Sequence, residues 1–206
     1  MGECRRIQLK LFNEYRNLFT SQELANLWGG TVCQPNWRYG QTSRPDLDLQ
    51  FPMWFQEFWS PWEQKYFDEE TKNYVEVVKN KFYETLPAGD WVLTRSMVSG
   101  NTFGLDGDIH QDWIKPNESM TGVLYLNGDW QDNWGGETII YNEDDKTQIE
   151  ISKVEHGKLI TFDGYNSHIG KGPQRRCPRL RCIFALQAVR KEPFIEWAGE
   201  KLKVDL

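Results

Sequence analysis

The sequence lacks a long apolar segment and any excess of positive charge. None of its 206 residues lies in an apolar run approaching the roughly 18 to 20 residues that a membrane-spanning helix requires. The formal charge of -6 argues against a protein whose main role is to bind nucleic acid, because such proteins usually carry a basic excess. We therefore expect neither a membrane partner nor a nucleic-acid partner.

Cysteine is also scarce and is spaced without a metal-binding pattern. The four cysteines are Cys4, Cys33, Cys177 and Cys182. The first residues contain no apolar run typical of a secretory signal. Free thiols and a cytoplasmic location are the expectation that follows.

Length and composition predict one domain over residues 1–206. The content of 39% hydrophobic and 26% charged residues is ordinary for a globular protein. Ten Trp, eight Tyr and eleven Phe favour a β-rich core or an aromatic substrate cleft. Several of these aromatics fall in residues 31–59, which we predict to be irregular. That segment could form an ordered lid or cleft wall, or it could only cover the core.

The order of the predicted elements is helical first and β-rich afterwards. Thr20 and Glu23 have capping-box spacing and predict a short helix that ends at Gly29-Gly30. Ser60, Pro61 and Glu63 predict the start of a second helix, which would run to about Leu86. The β-prone runs that follow are WVLTRSMV, TGVLYLN, ETIIYN, QIEIS, GKLITF and RCIFALQAV. This order predicts an α+β fold in which helices support an antiparallel sandwich or barrel.

Two of the three histidines form a candidate metal site with one aspartate. His110 and Asp112 lie two residues apart, so on an extended segment both side chains project to the same side. His168 could close a triangular set from a distant strand. Two imidazoles and one carboxylate leave adjacent coordination positions open, as in the facial triad of non-haem Fe(II) oxygenases. The His-x-Asp pair alone is common by chance and could be a polar surface loop, and His156 is predicted to be a turn residue.

An arginine at the start of the last predicted strand supports the oxygenase interpretation of the triad, because such a site also needs a group that binds the carboxylate of an oxo acid. Arg181 begins the strand-like run RCIFALQAV, and its planar guanidinium could bind a carboxylate through two parallel hydrogen bonds. Arg179 is an alternative because it has the same side-chain parity on an extended segment.

Four segments together resemble a known family. They are NTFGLDGDIHQD, VLYLNGDWQDNWGGET, GKLITFDGYNSHIGKGP and CPRLRCIFAL. In order and spacing they are similar to the prolyl 4-hydroxylase-like 2-oxoglutarate/Fe(II)-dependent dioxygenases, especially the short bacterial and viral members. The resemblance implies a double-stranded β-helix (jelly roll) with N-terminal flanking helices, and a catalytic core over about residues 91–190.

The resemblance also implies roles for individual residues. His110, Asp112 and His168 would be the catalytic ligands of Fe(II). Arg181 would bind the distal carboxylate of 2-oxoglutarate, and it is preferred to Arg179 because relatives place this arginine directly after Pro-x-Leu. Two further cosubstrate contacts would be Tyr125, which could equally be an ordinary core tyrosine, and Asn101.

The activity implied by the resemblance is hydroxylation of an unactivated C–H bond. Molecular oxygen and 2-oxoglutarate would be consumed, succinate and CO2 released, and ascorbate would act as a supporting reductant. The expected substrate is a prolyl or other amino-acid-like group in a small molecule or peptide. The alternatives are a natural-product tailoring oxygenase that desaturates or cyclises its substrate, and a non-enzymatic metal-containing jelly-roll binding module.

Overall fold

The computed structural model describes residues 12–43, 52–67, 69–141 and 148–204. The elements are, in chain order, β1 (Phe12–Tyr15), α1 (Ser21–Gly30), β2 (Arg38–Gln41), β3 (Met53–Glu57), β4 (Trp59–Ser60), β5 (Lys65–Tyr66), α2 (Glu69–Glu84), β6 (Trp91–Asn101), β7 (Ser119–Tyr125), β8 (Thr138–Tyr141), β9 (Gln148–Ser152), β10 (Leu159–Asp163), β11 (His168–Gly170), β12 (Arg181–Arg190) and α3 (Lys191–Val204). The six predicted β-prone runs correspond to β6, β7, β8, β9, β10 and β12.

Most of the strands belong to two antiparallel sheets. The larger sheet has seven strands in the order β1-β10-β7-β12-β6-β3-β2, and the smaller has three in the order β11-β8-β9. Side chains from both sheets, among them Val123, Ile140 and Ile183, share one buried apolar cluster. The two sheets therefore enclose an interior in the jelly-roll manner, and the expected α+β double-stranded β-helix fold is confirmed.

The central strands of the larger sheet are buried on both faces, and every residue of β7 is buried. Val123 and Tyr125 point into the interior between the sheets, whereas Leu124 packs with α1 and α2 on the other face. Phe82 of α2 lies so close to β7 that a Cβ added to Gly122 would come within 2.7 Å of its ring. The helices thus hold the wall that forms one side of the interior.

The first predicted helix is confirmed together with its cap. The backbone N–H of Glu23 donates to the Thr20 hydroxyl at 3.2 Å, and the Glu23 carboxylate accepts from the Thr20 backbone N–H at 2.7 Å. These reciprocal bonds satisfy donors that a helix N-terminus otherwise leaves without partners.

The predicted helix start at Ser60 is wrong. Glu63 does donate its backbone N–H to the Ser60 hydroxyl, at 3.2 Å, but this bond lies beside the turn that joins β4 to β5. The preceding Trp59 donates its indole N–H to the carbonyl of Leu93 at 2.9 Å, which fixes the segment against β6. The same local bond can serve a tight turn or a helix cap, and here α2 begins only at Glu69.

The expectation of an irregular segment over residues 31–59 needs a similar correction. Within it β2 and β3 pair with each other, and β3 continues the larger sheet by pairing with β6. Residues 44–51 of this segment lie outside the described ranges. The aromatic Tyr39 and Trp54 face each other across the two strands with ring centroids 5.1 Å apart.

The C-terminal helix α3 was not among the predicted elements. Its Trp197 stacks on Trp62 with ring centroids 4.9 Å apart, so the helix contacts the turn between β4 and β5. None of the helices in the described ranges is both long enough and apolar enough to cross a membrane.

The packing of α2 on β7 gives a stability prediction. Phe82→Ala should lower the free energy of unfolding by about 3–5 kcal/mol, because it empties a fully buried site that the rigid sheet cannot close. Phe67→Ala is the matched control, since that ring is 56% exposed, and its effect should stay within about 0.5 kcal/mol. Urea denaturation followed by tryptophan fluorescence measures both, and equal losses would contradict the prediction.

Candidate metal centre

Backbone pairing brings the two histidines of the candidate site together. The segment before Asp112 runs antiparallel to residues 164–170, with His110 and His168 directly opposite each other. Their N–H and C=O groups exchange hydrogen bonds of 3.1 and 2.9 Å. Asp112 continues the pairing by donating its N–H to the carbonyl of Gly164 at 2.9 Å. A separation of 58 positions in sequence is thereby reduced to neighbouring strands.

The three side chains converge as their spacing predicts. The Nε2 atom of His110 lies 3.8 Å from Oδ1 of Asp112, and the Nε2 atom of His168 lies 3.6 Å from Oδ2. One potential ligand atom from each of the three residues falls within 4.8 Å of the others. The Asp112 side chain is only 2% exposed, and that of His110 is 14% exposed, so the cluster is shielded but open on one side.

Both imidazoles present Nε2 to the cluster because their other nitrogen is already bonded. Nδ1 of His110 donates to the carbonyl of Asp108 at 2.8 Å, and Nδ1 of His168 donates to the carbonyl of Asn166 at 3.1 Å. A carbonyl can only accept, so each Nδ1 carries the proton and each Nε2 lone pair is free. Such outer bonds orient histidine ligands in metal sites.

Electrostatics keep Asp112 and His168 in their metal-binding protonation states. Burial opposes ionisation of Asp112, but Arg95 and the two imidazoles hold the pKa of its carboxyl well below the ordinary value. Burial, followed by the nearby His110, lowers the pKa of His168 to about 4. A carboxylate and a neutral imidazole are the forms that coordinate a cation. Two nitrogen donors and one oxygen donor, with space on the open side, fit Fe(II).

A buried arginine lies in the same pocket as the histidines. Arg181 is 1% exposed, and its guanidinium donates to neutral acceptors: the Gly136 carbonyl at 2.5 Å, the Thr138 hydroxyl at 3.0 Å and the Asn101 amide oxygen at 3.4 Å. Within the described ranges it makes no ion pair. Burial lowers the pKa of Arg181, which means that its charge is poorly compensated in the folded chain. A bound carboxylate would supply that compensation.

The alternative arginine lies elsewhere. The Arg179 side chain is 56% exposed and pairs with Asp129 at 2.7 Å. It lines a separate depression together with Trp28 and Trp37, away from the histidines. Of the two arginines, only Arg181 therefore faces the cluster.

Of the two remaining predicted cosubstrate contacts, Asn101 lines the pocket and Tyr125 does not. Asn101 lines the pocket, and its register partner across the sheet is Arg181. Tyr125 is fully buried beneath the guanidinium, whose central carbon is 5.7 Å from the ring centroid. Its hydroxyl lies 2.9 Å from the Thr138 hydroxyl and 3.0 Å from the Ser152 carbonyl, so those groups already occupy it. Tyr125 supports Arg181 from below and is not part of the pocket wall.

Two residues of the site were missed by the sequence reasoning. Thr138 bonds to both Arg181 and Tyr125, and its position at the end of the Gly-Gly-Glu-Thr segment was the available signal. Arg95 donates Nη1 to Asp112 at 2.9 Å, opposite Thr121, whose hydroxyl donates to the other carboxylate oxygen at 2.5 Å. A charged residue inside the apolar run WVLTRSMV was the signal for Arg95.

Gly136 shows why this turn needs glycine. Its φ of +84° lies in a region that side chains other than glycine rarely adopt, and an added Cβ would come within 3.1 Å of the Arg181 side chain. The turn can therefore bring its carbonyl against the guanidinium.

Comparison with known proteins agrees with this geometry. Residues 98–186 match the family described as the 2OG-Fe(II) oxygenase superfamily. Among solved structures, a Trichoplax adhaerens prolyl hydroxylase in complex with a hypoxia inducible factor peptide fragment is 18% identical with a TM-score of 0.66, over 89% of this chain and 86% of that one. A viral collagen prolyl hydroxylase from Paramecium Bursaria Chlorella virus-1 is 14% identical with a TM-score of 0.60, over 92% and 99% of the two chains.

The fold is also similar to that of a tailoring enzyme. The non-heme alpha ketoglutarate dependent carbocyclase from nogalamycin biosynthesis is 10% identical with a TM-score of 0.58, covering 88% of this chain and 80% of that one. No curated protein sequence matches the chain.

The geometry predicts which residues are needed for metal binding. His110→Ala and Asp112→Ala should each weaken Mn(II) binding by at least about 100-fold, because loss of an outer partner of a ligand already costs about 10- to 100-fold. Isothermal titration calorimetry on the purified variants measures this effect.

His156→Ala is the matched control. This histidine bonds to the Leu126 carbonyl at 3.1 Å and is not part of the cluster, so its removal should leave Mn(II) affinity unchanged. Equal losses in all three variants would show that the cluster is not the binding site.

Proposed function

We propose that the protein is a hydroxylase of the 2OG-Fe(II) oxygenase superfamily, the family whose model matches residues 98–186. In this proposal it consumes 2-oxoglutarate and oxygen to hydroxylate an unactivated C–H bond of a prolyl or other amino-acid-like substrate. The observation that carries the proposal is the presence, in one pocket, of His110, His168 and the buried Arg181, with Asp112 behind them.

The proposed division of roles follows from the contacts. His110, Asp112 and His168 would hold Fe(II), and Arg181 would bind the distal carboxylate of 2-oxoglutarate, next to Asn101. The bound iron and cosubstrate together supply the oxidising chemistry. The chain itself orients the imidazoles through the Asp108 and Asn166 carbonyls.

The pocket also limits the access of water to the site. Its inner end is formed by buried residues of β6, β7 and β12, including Ser99, Val123 and Ile183. Its outer side is lined by Gln41, Thr42 and Met53, from the β2–β3 region. Substrate bound against this outer side would cover the only open face of the cluster that the described residues leave.

A prolyl or amino-acid-like substrate is supported by the similarity of the fold to prolyl hydroxylases, one of them in complex with a peptide. A tailoring oxygenase is the second candidate, and it is favoured by the similarity to the carbocyclase. Both candidates need the same metal and cosubstrate site.

Product analysis tests the proposal. The protein is incubated in air with Fe(II), 2-oxoglutarate and ascorbate, together with proline-containing peptides, free L-proline and other L-amino acids. Succinate with a product one oxygen atom heavier supports hydroxylation, whereas a product two hydrogens lighter supports the tailoring reaction. Failure of the metal-loaded protein to bind 2-oxoglutarate would leave only a binding module.

The two arginines provide a paired prediction for cosubstrate binding. Arg181→Ala should weaken 2-oxoglutarate binding by about 10- to 100-fold, the equivalent of losing charged hydrogen bonds of about 1.5–3 kcal/mol. Arg179→Ala should leave it unchanged, because that side chain is exposed and pairs with Asp129.

Binding to the Mn(II)-loaded protein is measured by calorimetry. Arg181→Lys keeps the charge but loses the planar fork, so partial affinity in a variant with unchanged melting temperature would separate recognition from folding. A larger loss in Arg179→Ala than in Arg181→Ala would overturn the assignment.

A further inference from the structure

We propose that Arg95 binds a carboxylate of the substrate, so that the enzyme acts on a molecule with a free carboxylate near the reacting carbon. This inference rests on the proposed function and narrows its substrate class. An internal prolyl residue of a peptide has no free carboxylate, whereas free proline or another free amino acid does.

Arg95 lies in the pocket wall, at the opposite end from Arg181. Alternate residues of β6 from Arg95 to Asn101 all line the pocket, including Met97 and Ser99. Asn101 is the register partner of Arg181. Six residues of extended strand separate the Cα atoms of Arg95 and Asn101 by about 20 Å, at about 3.3 Å per residue. Arg95 and Arg181 therefore stand at opposite ends of this row of pocket-lining residues.

The Arg95 guanidinium has free donors that solvent can reach. Its side chain is 40% exposed, in contrast to the fully buried Arg181. Nη1 donates to Asp112, while within the described ranges Nε and Nη2 have no protein acceptor. Two donors of a planar fork remain available to a ligand that enters from the open side.

The formal charges of the loaded site leave one positive charge unbalanced. A divalent metal brings two positive charges, and Arg95 and Arg181 bring one each. Asp112 removes one and 2-oxoglutarate removes two, which leaves one positive charge. Because Arg181 would be neutralised by the cosubstrate, the remaining charge lies at the Arg95 end.

Apart from Asp112, the described surroundings of Arg95 supply no anion that would balance this charge. Of the described residues that line the pocket, none is an aspartate or a glutamate. Glu57, which pairs in register with Met97, forms an ion pair with Arg38 at 3.3 Å.

Holding Asp112 in place and ionised uses only one donor of Arg95, Nη1. Thr121 already donates to the second carboxylate oxygen of Asp112, and Gln187 donates to its backbone carbonyl at 2.8 Å. The backbone N–H of Asp112 is bonded to Gly164.

Paired ligands provide the test. The Mn(II)- and 2-oxoglutarate-loaded protein is titrated by calorimetry with the L-amino acids and with the primary amide of each. We expect one or more amino acids to bind, with the matching amide at least tenfold weaker. Arg95→Gln should weaken the amino acid by a similar factor and leave the amide unchanged, and Arg95→Lys should restore part of the difference.

Two controls separate this proposal from others. Arg38→Gln removes an exposed arginine outside the pocket and should leave every affinity unchanged. Arg95→Gln also removes an outer partner of Asp112 and should weaken Mn(II) binding by about 10- to 100-fold, so its titrations are run with Mn(II) at saturation, where its 2-oxoglutarate affinity should change by no more than a few-fold.

The outcomes that overturn the proposal differ from those that overturn the function. Absence of Mn(II) or 2-oxoglutarate binding in the wild-type protein would refute the proposed function itself. Normal binding of both, with no amino acid bound or with amides bound equally well, would refute only the role of Arg95. At saturating Mn(II), an equal loss for the amino acid and its amide in Arg95→Gln would assign Arg95 only to positioning Asp112, and loss of 2-oxoglutarate affinity would assign it to the cosubstrate.

Discussion

The candidate site depends on one stretch of backbone pairing, in which the segment around His110 lies antiparallel to residues 164–170. These hydrogen bonds place two imidazoles side by side without any direct bond between them. Asp112 then reaches the same point because extended backbone repeats its side-chain direction every second residue. The main chain therefore sets the positions of the three residues, and the bonds that their side chains make with neighbouring groups set their orientations.

Unpaired positive charge is the second organising feature. Arg181 is enclosed among neutral acceptors, and such burial is costly unless an anion joins it. The guanidinium is held in one direction by the Gly136 carbonyl, the Thr138 hydroxyl and the ring of Tyr125. If Arg181 binds the cosubstrate as proposed, these bonds fix the guanidinium before the carboxylate arrives, so that little side-chain ordering remains to be done on binding.

The β-rich half of the chain was predictable because its runs are regular and are separated by turn residues. The metal triad was predictable because the i, i+2 parity of an extended segment needs no knowledge of tertiary structure. The helix start at Ser60 failed because the same hydroxyl-to-amide bond serves both a cap and a turn. The bond from the Tyr125 hydroxyl to the backbone carbonyl of Ser152 could not be foreseen, since Ser152 lies in the other sheet. Arg95 was overlooked because a single charged residue in a strand is usually a solvent-facing one.

The β2–β3 edge of the larger sheet lines the pocket but contributes less to the buried core than the central strands do. The central strands are buried on both faces, so substitutions there disturb the core and the inner pocket together. By contrast, β2 has no buried residue, yet its Gln41 and the neighbouring Met53 line the outer side of the pocket. Substitutions in β2 and at Met53 would therefore change the shape of the outer pocket while the candidate metal ligands and the core stay unchanged. Under the proposed function, related chains could differ in substrate through these two strands and still catalyse the same type of reaction.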